Sequence, residues 1–177
     1  AAGKAYQAAA MGAPGNGIYA NNYGSWLCAN GRAAESLDWF DRALADPSYP
    51  TPVAALANAG SCASAAGQVQ RAESNWRKAL TLDPQNLAAL AGLAALEQAR
   101  GNGLEARAFV ERWLALSPDD PAGLRLAAEI EARLASYRAE RQRQRDEAAA
   151  AARAKLAKAR FYQNWKGSPH ESAFYVR

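Results

Sequence analysis

Residues that commonly bind metals or carry redox chemistry are scarce in this chain, which has one histidine, one methionine and two cysteines among 177 residues. Zinc sites usually need three or four protein ligands, so the composition argues against a metal centre. His170 stands in a Ser-Pro-His-Glu-Ser segment typical of a turn, where we expect it to be solvated. The sequence also lacks a glycine-rich phosphate loop, a nucleophile elbow and a paired-carboxylate motif. We therefore predict a non-enzymatic protein without a metal or another cofactor.

Long hydrophobic runs are also missing. No apolar run approaches the ~18 residues that a membrane-spanning helix needs. The sequence begins at Ala1 without methionine and has no signal peptide, which indicates a mature or trimmed product. Half of the residues are hydrophobic. Many of these are alanine, which favours helices and their close packing over sheets.

Two stretches of the chain share a repeating pattern. Residues of similar type recur 34 positions apart, in the pairs Gly67 and Gly101, Ala72 and Ala106, and Pro84 and Pro118. An earlier stretch supplies Gly31, 36 positions before Gly67, because two extra residues fall in the loop at 46–52. Self-similarity at a fixed period of this length is the signature of a repeat protein.

The pattern resembles the tetratricopeptide repeat, which has small residues near positions 8, 20 and 27, a large apolar residue near 24 and proline at 32. The resemblance predicts an all-α fold, a superhelical solenoid of antiparallel helix pairs followed by a long C-terminal basic helix. We assign the solenoid to residues 1–135, with repeats at 17–50, 53–86 and 87–120 and partial units at both ends.

Each of the three predicted repeats has a glycine at the end of its first helix. A left-handed residue is needed there, and glycine adopts that conformation without a steric penalty. The pattern therefore predicts left-handed caps at Gly31, Gly67 and Gly101. The alternative fold is an alanine-rich helical bundle without repeats, but the shared period and helix-ending residues favour the solenoid.

The concave face of a solenoid is its usual binding surface, and the first helices line it. At those positions the sequence has small, uncharged residues, among them Ala57, and no lysines to bind a terminal carboxylate. We therefore expect an extended or helical apolar peptide as ligand. The predicted partner-binding residues are Asn21, Ser25, Asn58, Ser61 and Gln98. The asparagines either bond the peptide backbone or bond neighbouring helices, and the sequence leaves both interpretations open.

The two cysteines, Cys28 and Cys62, are separated by 34 residues and fall on the first helices of adjacent repeats. A disulfide between them is geometrically plausible. The alternative is two buried free thiols that act as small hydrophobic side chains. A cytosolic protein would favour the thiols, whereas an exported protein would favour the bridge.

Three segments resemble a more specific family. The stretches "NNYGSWLC", "FDRALADPSYPTP" and "NAGSCASAAGQVQRAE" are similar to the type IV pilus biogenesis and stability lipoproteins, the repeat-containing secretin pilotins of the PilF or PilW type. The resemblance covers residues 15–135 and carries more specific motifs than the repeat pattern alone.

This resemblance implies a protein at the periplasmic face of the outer membrane of a Gram-negative bacterium. It would bind the secretin subunit of the type IV pilus machinery, promote secretin localisation and multimerisation, and so support fimbrium biogenesis and twitching motility. It also implies a disulfide between Cys28 and Cys62, and a lipid-anchored cysteine upstream of Ala1. The alternatives are a periplasmic adaptor for another envelope complex and the repeat domain of a larger enzyme.

The chain departs from the family pattern after about Arg133. Residues 133–160 carry nine basic and three acidic side chains, a net charge of +6 against +4 for the whole chain, and we predict a basic helix at 136–160. The basic arm has four arginines at its centre: Arg138, Arg141, Arg143 and Arg145. The helix either caps the solenoid or binds an acidic partner or lipid headgroups. Nucleic acid is disfavoured because Tyr137 is the only aromatic residue within it.

The last segment, residues 161–177, forms an aromatic tail with Phe161, Tyr162, Trp165, Phe174 and Tyr175. Three interpretations remain open for it. The tail folds back over the last helix, or it docks on a partner or a second copy of the chain, since exposed aromatic residues make good anchors. It is otherwise an artificial extension.

Overall fold

The computed structural model describes residues 2–166, and all the regular secondary structure of this range is helical. The helices are α1 (Ala2–Gly12), α2 (Gly17–Ala29), α3 (Ala33–Ala45), α4 (Pro52–Ala65), α5 (Val69–Leu82), α6 (Leu87–Arg100), α7 (Gly103–Leu116) and α8 (Pro121–Lys166). The chain divides into two compact units, with the boundary between Glu131 and Ala132. The all-α prediction is confirmed.

Helices α2 to α7 pack as three consecutive pairs. Helix α2 packs on α3, α4 on α5 and α6 on α7, and the second helix of one pair contacts the first helix of the next. The pairs span residues 17–45, 52–82 and 87–116, against the predicted repeats 17–50, 53–86 and 87–120. Helix α1 precedes them and packs on α2.

Helix α8 differs from the segmentation expected from sequence. It begins at Pro121 and continues to Lys166 without a break at 135 or at 160. The reason is that 134–166 contains neither glycine nor proline, the residues that most often end a helix. The first residues of the predicted aromatic tail are therefore helical. The predictions for His170, Phe174 and Tyr175 lie outside the described residues.

The three predicted left-handed glycines are confirmed. Gly31, Gly67 and Gly101 have φ of 78°, 73° and 85°. In each case the next residue donates its N–H to a carbonyl five residues earlier: Arg32 to Leu27 at 2.9 Å, Gln68 to Ala63 at 2.8 Å, and Asn102 to Glu97 at 2.9 Å. These hydrogen bonds satisfy carbonyl groups that otherwise lack a partner at the end of a helix. Each first helix therefore ends at the same place in its repeat.

The core is built around one bulky residue in the second helix of each pair. Phe40, Trp76 and Val110 occupy equivalent positions and are 0%, 4% and 1% exposed. The Trp76 indole lies between Gly60 of α4 and Gly92 of α6, where a methyl group on either glycine would overlap its ring. The ring thus fills space between two consecutive repeats, which requires glycine on both sides.

The loop between α3 and α4 is tied back to the start of the first repeat. The Asp46 carboxylate accepts hydrogen bonds from the Gly17 N–H at 2.8 Å and from the Ser48 N–H at 2.9 Å and hydroxyl at 2.7 Å. These bonds, the one from Gly17 above all, hold the pKa of Asp46 below its usual value. Tyr49 is buried beside Gly17, so the loop also packs against α2.

Replacing Gly92 with alanine tests the close approach of α6 to Trp76. The new methyl group would overlap the indole, so we expect Gly92→Ala to lower the free energy of unfolding by about 1–3 kcal/mol in chemical denaturation. Gly12→Ala is the matched control, because nothing lies within 4 Å of a methyl group there. The control should be neutral or slightly stabilising. Equal stability of both variants would contradict the packing described.

Replacing Asp46 with asparagine tests the tie between the loop and α2. Because the folded-state pKa of Asp46 is lowered, its charge contributes stability above the unfolded pKa of about 3.9, and this contribution is lost as pH falls through the folded pKa. We expect the stability gap between wild type and Asp46→Asn to be largest near neutral pH and to shrink below about pH 4. Thermal unfolding across this range measures it. A gap independent of pH would rule out the charge as its source.

Candidate functional site

The first helices α2, α4 and α6 are spatial neighbours, which brings the predicted partner-binding residues to one side of the repeats. We call this side the first-helix face and define it by Asn21, Ser25, Asn58, Ser61 and Gln98. Ser61 is exposed, and the other four side chains are half-buried. Ala57, which the repeat spacing also assigned to this face, is instead buried in the core at 3% exposure.

Polar contacts on the first-helix face link two of its helices. The Asn58 side-chain amide donates to the Ser25 hydroxyl at 3.5 Å, a long hydrogen bond between α4 and α2. This contact is of the kind that the interhelical interpretation of Asn58 predicts. Asn21 differs, because its Oδ1 atom is buried and accepts no hydrogen bond from the described residues. The Ser61 hydroxyl donates to the Ala57 carbonyl at 3.2 Å within α4.

Apolar side chains are exposed beside these five residues, and most of them are alanine. Ala54, Ala88 and Ala95 are exposed along α4 and α6, and Ile18 is 47% exposed at the start of α2. Side chains this small leave room for a ligand to approach the helices closely. Since none of these residues carries a charge, the face can bind apolar surface without desolvating a charge of its own.

A disulfide connects the first helices of the first two repeats. The sulfur atoms of Cys28 in α2 and Cys62 in α4 are 2.10 Å apart, and the Cα atoms are 5.8 Å apart. Cys62 is buried and Cys28 is half-buried. Both cysteines lie on the helices that carry the first-helix face, so the bridge restrains the spacing of α2 and α4.

A buried carboxylate between α5, α6 and α7 was not anticipated from the sequence. Glu97 is 1% exposed. Its two oxygens accept from Arg100 at 3.0 Å and from the Asn102 amide at 2.6 Å, and Arg100 also pairs with Glu73 at 2.6 Å. Both oxygens therefore have partners, as a buried charge requires. The spacing of Glu97 and Arg100 on one helix face was the available signal.

The four predicted basic-arm residues separate into two sets on α8. Arg138, Arg141 and Arg145 lie on one exposed side of α8, together with Tyr137 and Gln142. Arg143 instead pairs with Glu140 at 2.6 Å. The separation follows from the helical period of 3.6 residues, which directs position 143 away from 138, 141 and 145.

Aromatic residues near the end of α8 are exposed. Phe161, Tyr162 and Trp165 have exposures of 66%, 50% and 53%. These three residues were predicted as part of the aromatic tail, but they belong to helix α8. Trp165 follows Phe161 by four positions and Tyr162 by three, which are spacings typical of one helical face and were the signal for this arrangement.

Two negative findings apply to the part of the chain that the structure describes. Within residues 2–166, no group of three or more histidine, cysteine, aspartate or glutamate side chains is arranged to hold a metal ion. No helix in the same range combines the length and the apolar character needed to cross a bilayer.

Comparison with known proteins identifies the repeats. The tetratricopeptide-repeat family model matches residues 63–130. The first such domain of human RPAP3 superposes with a TM-score of 0.62 at 22% identity, covering 70% of this chain and 95% of that domain. The fold is a tetratricopeptide-repeat solenoid. The first repeat domain of Spaghetti (RPAP3), solved with the HSP90 peptide SRMEEVD, is similar at a TM-score of 0.63 and 21% identity over 68% of this chain and 96% of that one.

A third solved structure is similar at higher sequence identity. The solenoid superposes on PilW, described as a widely conserved type IV pilus biogenesis factor, with a TM-score of 0.69 and 31% identity. The match covers 78% of this chain but 64% of PilW, so the chain spans less than two thirds of that structure. No curated protein matches the chain. The solenoid thus resembles a type IV pilus biogenesis factor in sequence as well as in fold.

Removing the disulfide tests its contribution to the solenoid. The bridge closes a loop of 34 residues, for which the chain-entropy account gives about 3–4 kcal/mol. We expect the double variant Cys28→Ser/Cys62→Ser to lose stability of this order in chemical denaturation. A reducing agent should destabilise the wild type and leave the variant unchanged. Equal stability of wild type and variant without reductant would contradict the prediction.

Proposed function

We propose that this protein is a type IV pilus biogenesis factor that binds the secretin subunit and promotes secretin localisation and multimerisation. The observation that carries the proposal is the 31% identity to PilW across 78% of this chain. Its site of action is the periplasmic face of the outer membrane of a Gram-negative bacterium. An N-terminal lipid anchor outside this sequence would hold it there.

The chemistry of the first-helix face supports binding of a peptide segment. Exposed alanine methyl groups and the Ile18 side chain offer apolar contact area. The buried Asn21 Oδ1 lacks a donor among the described residues, and leaving such an acceptor unpaired costs free energy. This oxygen has almost no accessible surface, so a peptide N–H reaches it only once the Asn21 side chain turns outward. We therefore assign the face to an apolar segment of the secretin subunit.

The solenoid acts as a carrier rather than as an enzyme in this proposal. Repeat domains of this fold bind peptide partners, as the complex of RPAP3 with an HSP90 peptide illustrates. A preformed face pays little conformational entropy when the partner binds. The bridge between Cys28 and Cys62 restrains α2 and α4 and so limits movement between the two helices that carry most of the face.

A substitution at the centre of the face tests the proposal in cells. We expect Ser61→Arg to introduce a long charged side chain where an apolar peptide binds, and therefore to abolish heat-resistant secretin multimers in a deletion strain complemented with the full-length gene. Ser74→Arg is the matched control, because Ser74 is exposed on the second helix α5. It should restore both multimers and surface motility. Secretin multimers on a gel are the measurement.

Other outcomes of this experiment would contradict the proposal. Normal multimers in the deletion strain with lost motility would move the function to pilus stability or to another envelope complex. Normal multimers and normal motility in the deletion strain would remove the assignment to the pilus. Multimers that survive Ser61→Arg at wild-type protein levels would show that the secretin binds elsewhere.

A further inference from the structure

The C-terminal part of α8 carries only positive charge. Between Glu147 and Lys166 the sequence has four basic residues, Arg153, Lys155, Lys158 and Arg160, and no acidic residue. All four side chains are exposed. The acidic residues of the basic arm all lie further upstream. Glu140, for example, pairs with Arg143. The cations at this end of the helix are therefore not neutralised by neighbours on the same helix.

Three aromatic side chains cluster on the same segment. Phe161 and Tyr162 pack edge to face with ring centroids 5.9 Å apart, and the Lys158 ammonium lies 6.0 Å from the Tyr162 ring. Trp165 follows Phe161 by four positions and so lies on the same side of the helix. We call Lys158, Phe161, Tyr162 and Trp165 the aromatic end of α8. It exposes large rings beside cations that form no ion pair with the residues that the structure describes.

We propose that residues 148–165 of α8 bind the surface of a bilayer that contains anionic phospholipid. Tryptophan and tyrosine prefer the level of the headgroups, where the ring is partly in hydrocarbon and its polar atom stays wet. Lysine and arginine gain from the negative surface potential of anionic lipids. Lys158 can lie along the membrane with its ammonium directed to phosphate while its methylene groups contact the rings.

The extent of the apolar surface favours a lipid surface over a protein partner. The rings occupy only the last two turns described, and the same side of the helix upstream carries methyl groups such as those of Ala151 and Ala154. A stable protein interface buries about 800 Å² on each partner, which two helical turns do not supply. The strength of membrane binding depends on buried apolar area together with electrostatic attraction to anionic lipid, and this segment supplies rings and cations side by side.

The ring geometry also disfavours nucleic acid. Single-stranded nucleic acid binds to aromatic side chains whose faces are open to stacking bases. Here Phe161 and Tyr162 contact each other, and Lys158 lies over the Tyr162 ring. Binding in the headgroup region does not require an open ring face, because rings that contact each other can enter it together.

The test uses the full chain with vesicles. Trp165 is the one exposed tryptophan among the described residues, since Trp26 and Trp39 are half-buried and Trp76 and Trp113 are buried. We expect a blue shift of its emission and co-sedimentation with vesicles of phosphatidylcholine containing phosphatidylglycerol. Neither should occur with phosphatidylcholine alone. Salt near 1 M should release the protein, because the Debye length then falls to about 3 Å and the charges are screened.

Matched variants test whether binding depends on this segment or only on the net charge of the protein. Lys155→Ala/Arg160→Ala should weaken binding to the anionic vesicles by on the order of 10- to 30-fold. Lys4→Ala/Lys78→Ala removes the same charge from exposed positions on α1 and α5 and should bind as the wild type does. Phe161→Ala/Trp165→Ala should also lose affinity. Alanine favours helix, so circular dichroism should report unchanged helicity in all three variants.

Several results would overturn this inference. Equal binding to neutral and anionic vesicles would remove the role of the cations. An equal loss in the Lys4→Ala/Lys78→Ala control would remove the role of the segment. Binding of polyglutamate or DNA through Lys155 and Arg160, without vesicle binding, would assign the segment to an acidic protein or to nucleic acid. Failure here leaves the proposed function intact, since these residues lie outside the first-helix face.

Discussion

The packing of Trp76 between two glycines is the contact on which the order of the repeats most depends. In a solenoid each repeat contacts only its neighbours, so cooperativity must pass through each junction. The indole occupies the junction between the second and third repeats because neither Gly60 nor Gly92 has a side chain to exclude it. Around it lie small residues such as Ala72 and Ala79, both buried, which allow the helices to approach. Polar contacts supplement this packing at the same junction, where Arg100 pairs with both Glu73 and Glu97.

Local features with a strong steric cause were predictable from the sequence. A residue that must be left-handed is nearly always glycine, so Gly31, Gly67 and Gly101 fixed the ends of three helices. Features that depend on how the helices pack against each other were not predictable in the same way. Ala57 and Asn58 are neighbours in sequence, yet one is buried in the core and the other bonds across to α2, because the exact rotation of α4 decides between them.

The C-terminal helix was predictable as a helix but not in its limits. Composition indicated a change near Arg133, whereas the helix begins at Pro121 and its first turns still pack on the third repeat, with Gly123 against Trp113 and Leu114. Helix continuity depends on local propensity, which is uniformly high across this alanine-, glutamate- and arginine-rich segment. A change in surface charge does not end a helix. The pairing of Arg143 with Glu140 likewise required the helical phase of each arginine.

The position of the disulfide determines which helices of the solenoid can separate first when the chain unfolds partially. Cys28 and Cys62 join the first and second repeats covalently, but no cysteine remains for the third. When the chain opens partially under native conditions, helices α6 and α7 can separate while the first two repeats stay attached to each other. Amide exchange should therefore be slowest in α2 and α4 in oxidised protein. Reduction would erase that gradient, so the redox state of the compartment determines whether the part of the first-helix face on α2 and α4 persists longer than the part on α6.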